Sequence, residues 1–323
     1  MNKEIFDYFN DSETIDSLPK YRKTPRVNCD RVKETDIKHG FAKMYYIDDK
    51  PYHLKRTLQD LSVGAIASSK MYKDLEITTP EIHLMTKQNA PNLFEYIKSK
   101  FRGEIPPIPT VTATKDVLRI PGYDCVLGSQ IKNFLDIREN YGFFSKYKWQ
   151  ILYDKQLQQL FLKFMTPQCL QEYIRIFILD ELRTDIDRHT DNFVLYRKHG
   201  SGRFEGVIPF DLENQRILVD KVASHNDFNS FLSEKYDTIT PLYYYDDSNY
   251  ESRVKDLIRY IERGVVDETT IDLIRKEVAY DMPKKILETC NNYYLKPYKN
   301  MTYDAYSRLW EYNRDTIGSV LGL

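Results

Sequence analysis

The spacing of hydrophobic residues changes from short alternating runs in the first third of the chain to helical periodicity in the rest. Two β-forming runs, 41–47 and 52–57, flank the polar stretch 48–51 and predict a β-hairpin. Apolar residues at helical spacing predict a helix over 61–75, and another run predicts a strand over 111–120. Strands first and helices later are typical of an α+β fold.

The second part of the chain is predicted to be mainly helical. Apolar residues cover almost every side of the segment 168–182, which predicts a buried central helix. Further helices are predicted over 149–164, 251–262, 269–279, 284–293 and 303–321.

These patterns predict a division of the chain. The total of 323 residues is enough for two lobes. Residues 1–40 are polar and poorly patterned, so we expect an N-terminal extension there. A small β-rich lobe is predicted over 41–125 and a mainly helical lobe over 126–323.

Composition excludes several kinds of partner. The 47 basic and 48 acidic residues give a formal charge of −1, so no overall basic field is present to hold nucleic acid. No apolar run approaches the roughly 18 residues of a membrane helix, and the first residues do not read as a signal peptide. The four cysteines are isolated from one another, which fits neither a metal site nor a disulfide framework. We therefore expect a cytoplasmic protein with reduced thiols and no membrane segment.

Candidate chemistry is concentrated after the predicted central helix. The segment 185–192 holds Arg188, His189, Asn192 and three aspartates, and it runs directly into the apolar segment 193–196. Charges between two buried segments cost several kcal/mol unless they are paired. Their presence there indicates a function or a metal ion.

A further acid is brought near by a predicted hairpin. The glycine-rich turn 198–202 separates the strand at 193–196 from a second run that ends at Asp211. The midpoint of 192 and 211 lies inside that turn, so a regular register predicts that Asn192 and Asp211 face each other, with Cα atoms about 4.5 to 5.5 Å apart. Amide and carboxylate oxygens suit Mg²⁺.

These residues resemble the catalytic loop of kinases. Asp187, Arg188, His189 and Asn192 form a D-R-H-x-x-N motif that resembles HipA-like serine/threonine kinases and phosphoinositide kinases, and Asp211 resembles the later metal-binding Asp. The resemblance implies a bilobal protein-kinase-like fold with ATP and Mg²⁺ as cofactors. It implies that Asp187 orients or deprotonates the acceptor hydroxyl and that Asn192 and Asp211 hold Mg²⁺, with Arg188 and His189 in support.

The small lobe resembles a kinase only in its layout. Lys55 resembles the strand lysine that neutralises the ATP phosphates, and Lys43 on the preceding strand is its competitor. We favour Lys55 because a predicted helix follows it. No glutamate lies within 61–72 to pair with this lysine, and no glycine-rich phosphate loop precedes the first strand.

The implied function is transfer of the γ-phosphoryl group of ATP to a hydroxyl, with protein serine or threonine as the first acceptor class. A small-molecule or phosphoinositide kinase is the alternative, so the partner is a protein or small-molecule phosphoacceptor. A pseudokinase that acts as an interaction module is a further alternative, although the joint presence of Asp187, Asn192 and Asp211 favours catalysis.

A metal hydrolase is a weaker interpretation of the same region. Histidines 189, 199 and 225 and the nearby aspartates could supply ligands, but their spacing matches no H-E-x-x-H or His-x-His pattern.

Overall fold

The computed structural model describes most of the predicted elements. The described residues are 2–10, 32–39, 42–47, 49–85, 109–130, 162–183, 192–212, 268–292 and 300–321. No helix within these ranges is both long enough and apolar enough to cross a membrane.

The chain divides into two compact units. The first unit comprises Met1–Pro121 and Lys285–Pro297, and the second comprises Gly122–Lys284 and Tyr298–Leu323. Each unit combines a β-sheet with helices, which confirms the predicted α+β class. The domain boundaries derived from the sequence, at residues 40 and 125, stay predictions.

The first unit contains a five-stranded antiparallel sheet. Its strands are β1 (Val32–His39), β2 (Ala42–Ile47), β3 (Lys50–Leu58), β4 (Ile82–Met85) and β5 (Pro109–Lys115), in the order β1-β2-β3-β5-β4. The predicted β2–β3 hairpin is confirmed, and its turn holds Asp49 at a φ of 61°. Aspartate tolerates this left-handed conformation better than most residues.

The predicted helix after the hairpin is also confirmed. The helix α2 (Gln59–Asp74) packs against β3, β4 and β5. It buries small side chains such as Ala65 and Ala67 together with Ile66, and Met71 in its last turns is buried as well. Small buried residues let a helix approach a sheet closely, which explains why its apolar stripe is modest.

Two elements precede residue 41 that the sequence pattern did not predict. The helix α1 (Lys3–Asn10) buries Ile5 and Phe9, and the ammonium of Lys115 donates a hydrogen bond to the carbonyl of Tyr8. Among the described strands, β1 pairs with β2 alone, so it lies at an edge of the sheet. An edge strand needs no clear hydrophobic alternation, and its polar sequence concealed it.

The strand predicted over 111–120 ends earlier, at Lys115. Asp116 is fully buried, and its Oδ1 accepts a hydrogen bond of 2.7 Å from the Leu118 amide. Such a local side-chain bond competes with the ladder and turns the chain.

A smaller sheet of three antiparallel strands lies in the second unit. Its strands are β6 (Tyr123–Leu127), β7 (Phe193–Lys198) and β8 (Gly206–Pro209), in that order. The β7–β8 hairpin was predicted, whereas β6 was not. Because β7 lies between the other two strands, residues 193–196 are all buried.

The helices of the second part follow the predictions closely. The central helix α3 (Pro167–Arg183) begins with Thr166 as its cap, whose Oγ1 accepts from the Cys169 amide at 3.1 Å. The later helices are α4 (Glu268–Val278), α5 (Met282–Asn292) and α6 (Asn300–Leu321).

Two predicted helices cannot be compared in full. The predicted helix 251–262 lies outside the described residues. Of the predicted helix 149–164, the structure describes only residues 162–164, which form a turn.

Candidate active site

Asn192 stands at the start of β7, where a strand buried on both faces begins. Its residue is only 4% exposed, and its backbone carbonyl accepts a hydrogen bond of 3.1 Å from the Phe210 amide. That bond extends the β7–β8 ladder one step beyond the last pair, Phe193 with Pro209. A polar side chain is therefore held directly before the four buried residues with which β7 begins.

Asp211 follows β8 at the same end of the hairpin. It is half-buried, and its φ of 55° places it in the left-handed region. Aspartate tolerates this region better than most residues, but the conformation still costs free energy that the surrounding structure must compensate, and such residues cluster at functional sites. The chain thus leaves the hairpin through a constrained aspartate.

The predicted register of this hairpin is wrong by one residue. The observed pairs place Asn192 opposite Phe210, with Asp211 one position further on. The two side chains are therefore neighbours along the ladder and do not face each other directly. Because Asp211 has a left-handed backbone, the regular alternation of an extended strand does not determine the direction of its carboxylate.

The catalytic-loop residues predicted from the motif lie outside the described part of the chain. These are Asp187, Arg188 and His189. The structure describes the two ends of that loop, Arg183 at the end of α3 and Asn192 before β7. The roles assigned to the three residues stay predictions.

Lys55 lies on β3, as predicted, and is half-buried. It pairs with Ala42 and Thr112, and the Thr112 hydroxyl donates to the Lys55 carbonyl at 3.3 Å. Position 43 lies opposite Leu54, which is completely buried. Because paired residues of an antiparallel ladder share a face, positions 43 and 55 belong to opposite faces of the sheet.

The face of Lys55 also carries a polar cluster. His53, two residues before Lys55, has its Nε2 3.6 Å from the Oδ2 of buried Asp116, and the Arg119 guanidinium also contacts this carboxylate. Burial alone would raise the pKa of Asp116, but hydrogen bonds from His53, the Leu118 amide and Arg119 hold it below its usual value. The carboxylate is thus kept ionised.

Lys55 belongs to the first unit, whereas Asn192 and Asp211 belong to the second. The contact predicted between Lys55 and a carboxylate or a nucleotide phosphate stays a prediction. Within the helix α2, residues 59–74, the sequence contains no glutamate that could supply that carboxylate.

The donor atoms at the hairpin end fit a magnesium ion. Mg²⁺ prefers hard oxygen ligands and is usually held by one or two carboxylates, with water and phosphate completing its shell. Asn192 and Asp211 offer one amide oxygen and one carboxylate. Across the described ranges, no group of three or more His, Cys, Asp or Glu residues could hold a metal ion.

His199 does not belong to this place in the molecule. It follows β7 at the end opposite Asn192, and seven residues of extended strand span about 20 Å. Its Nδ1 lies 2.7 Å from Asp124, which also pairs with Arg197. His199 is therefore distant from Asn192, the described end of the loop at 185–192.

Arg183 is a buried charge that sequence reasoning missed. It is the last residue of α3 and is fully buried, and its Nη2 donates to the carbonyl of Leu212 at 3.1 Å. An arginine in the last turn of a helix is ordinary in a sequence, because its charge interacts favourably with the helix dipole. Nothing in the sequence indicates that its partner is a backbone carbonyl 29 positions away.

Comparison with known proteins gives matches only at the level of solved structures. No family model matches the chain. No curated protein matches its sequence either.

Several solved structures to which the chain is similar are kinases. A proinflammatory kinase of Helicobacter pylori, CtkA, is 14% identical, with a TM-score of 0.48, over 92% of this chain and 97% of that one. HipA from a toxin–antitoxin complex of Shewanella oneidensis is 13% identical, with a TM-score of 0.47, over 96% and 70%. A Golgi casein kinase is 11% identical, with a TM-score of 0.45, over 99% and 80%.

Proposed function

We propose that this protein is an ATP- and Mg²⁺-dependent phosphotransferase of the HipA-like kinase type, which transfers the γ-phosphoryl group to a hydroxyl. The observation that carries the proposal is the end of the β7–β8 hairpin. There the hydrogen bond from the Phe210 amide to the Asn192 carbonyl fixes Asn192 and Asp211 in neighbouring positions. Asp187 precedes Asn192 by five residues, the interval of the kinase catalytic loop.

The proposed roles follow from the chemistry of each side chain. Asp187 accepts the proton of the acceptor hydroxyl as the new oxygen–phosphorus bond forms and the bond to the departing ADP breaks. Lys55 neutralises the non-transferred phosphates of ATP. Arg188 and His189 support the loop that carries Asp187.

Asn192 and Asp211 are the residues that would hold Mg²⁺. When bound, the ion neutralises charge on the phosphate oxygens. The remaining catalysis is positioning, which can supply a large part of the barrier reduction when the reacting groups are held in line. The burial of Asn192 and the constrained backbone of Asp211 suit this role, because both restrict the movement of a ligand.

A protein serine or threonine is the proposed acceptor, and a small-molecule or phosphoinositide hydroxyl is the alternative. A pseudokinase interaction module is favoured by one observation, the lack of a glutamate in α2 that could pair with Lys55. The two kinase possibilities differ in which acceptor becomes phosphorylated. The pseudokinase differs from both because it does not consume ATP.

The test is incubation of the purified protein with labelled ATP and Mg²⁺. ADP formation should depend on Mg²⁺ and on an added acceptor, offered in parallel as a mixed protein substrate, phosphatidylinositol vesicles and a set of small alcohols. Intact mass of the protein itself reports autophosphorylation. Asp187→Asn is the matched inactive control. Nucleotide binding without any ADP formation in every arm would support the interaction module and overturn the catalytic proposal.

A further inference from the structure

Arg183 occupies an unusual position for a charged side chain. It ends α3, and its side chain is completely shielded from solvent. A buried guanidinium is costly unless charges and hydrogen-bond acceptors compensate for the lost water. The contacts around Arg183 therefore indicate which part of the structure this charge stabilises.

Two groups in contact with Arg183 come from different parts of the chain. Its Nη1 lies 3.7 Å from the Oδ1 of Asp180, which is equally buried and stands one turn earlier on α3. Its Nη2 donates a hydrogen bond of 3.1 Å to the carbonyl of Leu212. Asp180 thus stabilises the charge within the helix, and the other side of the guanidinium reaches the chain that leaves β8.

Leu212 directly follows Asp211, which gives this hydrogen bond its significance. The residue before Asp211 is fixed as well, because the Phe210 amide donates to the Asn192 carbonyl at 3.1 Å. Leu212 itself is only 1% exposed. The strained, left-handed Asp211 is therefore held between two hydrogen-bonded neighbours.

We propose that Arg183 is a positioning residue, which holds Asp211 through the Leu212 carbonyl in the backbone conformation that binds Mg²⁺ beside Asn192. The inference rests on the proposed function. Arginine suits the task better than lysine, because its planar fork directs donors to two partners at fixed angles. Arg183 touches neither the nucleotide nor the ion in this account and acts only through the backbone of residues 211 and 212.

The same helix end offers a matched control. Asn313 of α6 is also fully buried, and its Nδ2 donates to the carbonyl of Leu182 at 3.4 Å. Asn313→Ala removes a buried hydrogen bond to the residue before Arg183 and leaves the hydrogen bond between Arg183 and Leu212 in place. It reports how much of any effect arises from a general loosening of the end of α3.

The experiment compares the parent protein with Arg183→Met, Arg183→Lys and Asn313→Ala. ATP affinity is measured with and without Mg²⁺, and amide hydrogen exchange is followed in the peptide that covers 207–214. Arg183→Met should lose about tenfold of the Mg²⁺-dependent tightening, leave Mg²⁺-free ATP binding unchanged and speed exchange at 210–212. Arg183→Lys should recover part of both effects, and Asn313→Ala should show neither.

A folded Arg183→Met variant with unchanged Mg²⁺-dependent tightening and unchanged exchange would overturn the inference. If that variant does not fold, Arg183→Lys decides, since unchanged Mg²⁺ dependence and unchanged exchange there would contradict the positioning role. If the parent protein binds ATP without any effect of Mg²⁺, the proposed function fails. The exchange measurement still tests the hold of Arg183 on the segment in that case.

Discussion

Asn192 directly precedes the strand β7 and Lys55 lies within the strand β3, and the two strands bury their residues differently. The strand β7 buries residues 193–196 without interruption, so a polar side chain can stand only at its end. The strand β3 alternates buried Tyr52 and Leu54 with half-buried residues, so it offers several places for a polar side chain. Uniform burial thus determines where the site residue must lie, whereas alternation leaves a choice that depends on register.

The largest expected effect separates the hairpin end from the rest of its own sheet. Asp211→Ala and Asp187→Ala should each reduce the rate of ADP formation by about a hundredfold or more, because a positioned phosphate and an oriented nucleophile are both required. Asp124→Ala is the matched control, since Asp124 lies on β6 and pairs with Arg197. Comparable losses from all three variants would show that the sheet as a whole, and not its end, supports activity.

The next prediction concerns which of two lysines, Lys55 or Lys43, contacts the ATP phosphates. Lys55→Met should raise the KM for ATP by about tenfold or more, because a phosphate charge loses its partner in a partly shielded place. Lys43→Met should leave the KM nearly unchanged, since position 43 belongs to the opposite face of the sheet. Steady-state kinetics at varied ATP concentration measure both. The reverse result would assign the lysine role to Lys43 and contradict the account of β3.

A third prediction tests how tightly the β7–β8 hairpin is held. A Cβ at Gly206 would collide with the side chain of Tyr196, its cross-strand partner, which is buried. Gly206→Ala should therefore destabilise the protein by about 1–3 kcal/mol in urea denaturation. At Gly202 nothing lies within 4 Å of an added Cβ, so Gly202→Ala should be nearly neutral. Equal effects would mean that the hairpin accommodates the collision by moving.

The smallest expected effect contrasts buried carboxyl groups of the two units. In the second unit, burial raises the pKa of Glu277 to about 7 although Arg175 contacts it. The folded protein therefore binds the proton of Glu277 more tightly than the unfolded protein does. The free energy of unfolding increases as pH falls from about 7 towards 4.5. In the first unit the pKa of Asp116 is lowered, so its contribution is present above the unfolded pKa and is lost as pH falls through the folded one.

These opposite signs can be measured by thermal unfolding at a series of pH values. Glu277→Gln should remove the gain in stability between pH 7 and pH 4.5, and Asp116→Asn should weaken the loss of stability in more acidic buffer. Glu311→Gln on an exposed part of α6 provides a control for the change of net charge. Pronounced shifts of the same sign in both variants would contradict the contrast between the two carboxyl groups.

The sequence predicted the elements whose pattern is local. Both hairpins and the helices α2 and α3 follow from hydrophobic spacing and turn residues that lie next to one another in the chain. The strand β6 was missed because it pairs with β7, about 70 residues later, directly after a Pro-Gly turn that reads as an end. Local periodicity carries no information about so distant a partner.

The candidate site shows the same limit at the level of single residues. Asn192 and Asp211 were predicted to lie at one end of a hairpin, and the structure places them there, but in a register that differs by one residue. Moving the centre of the turn by half a residue changes which residue pairs with Asn192, and the composition of the turn does not determine where that centre lies. Arg183 was missed because a backbone carbonyl such as that of Leu212 leaves no signature in the sequence.

Calorimetric titration of ATP into the parent protein, Asp187→Ala and Asp211→Ala, with and without Mg²⁺, tests the central claim most directly. The account predicts that Mg²⁺ tightens ATP binding to the parent and to Asp187→Ala, and that Asp211→Ala loses this tightening. Equal loss in both variants would show that the proposed division between a metal ligand and a hydroxyl-orienting residue is wrong. An absence of Mg²⁺-dependent binding in the parent protein would contradict the account as a whole.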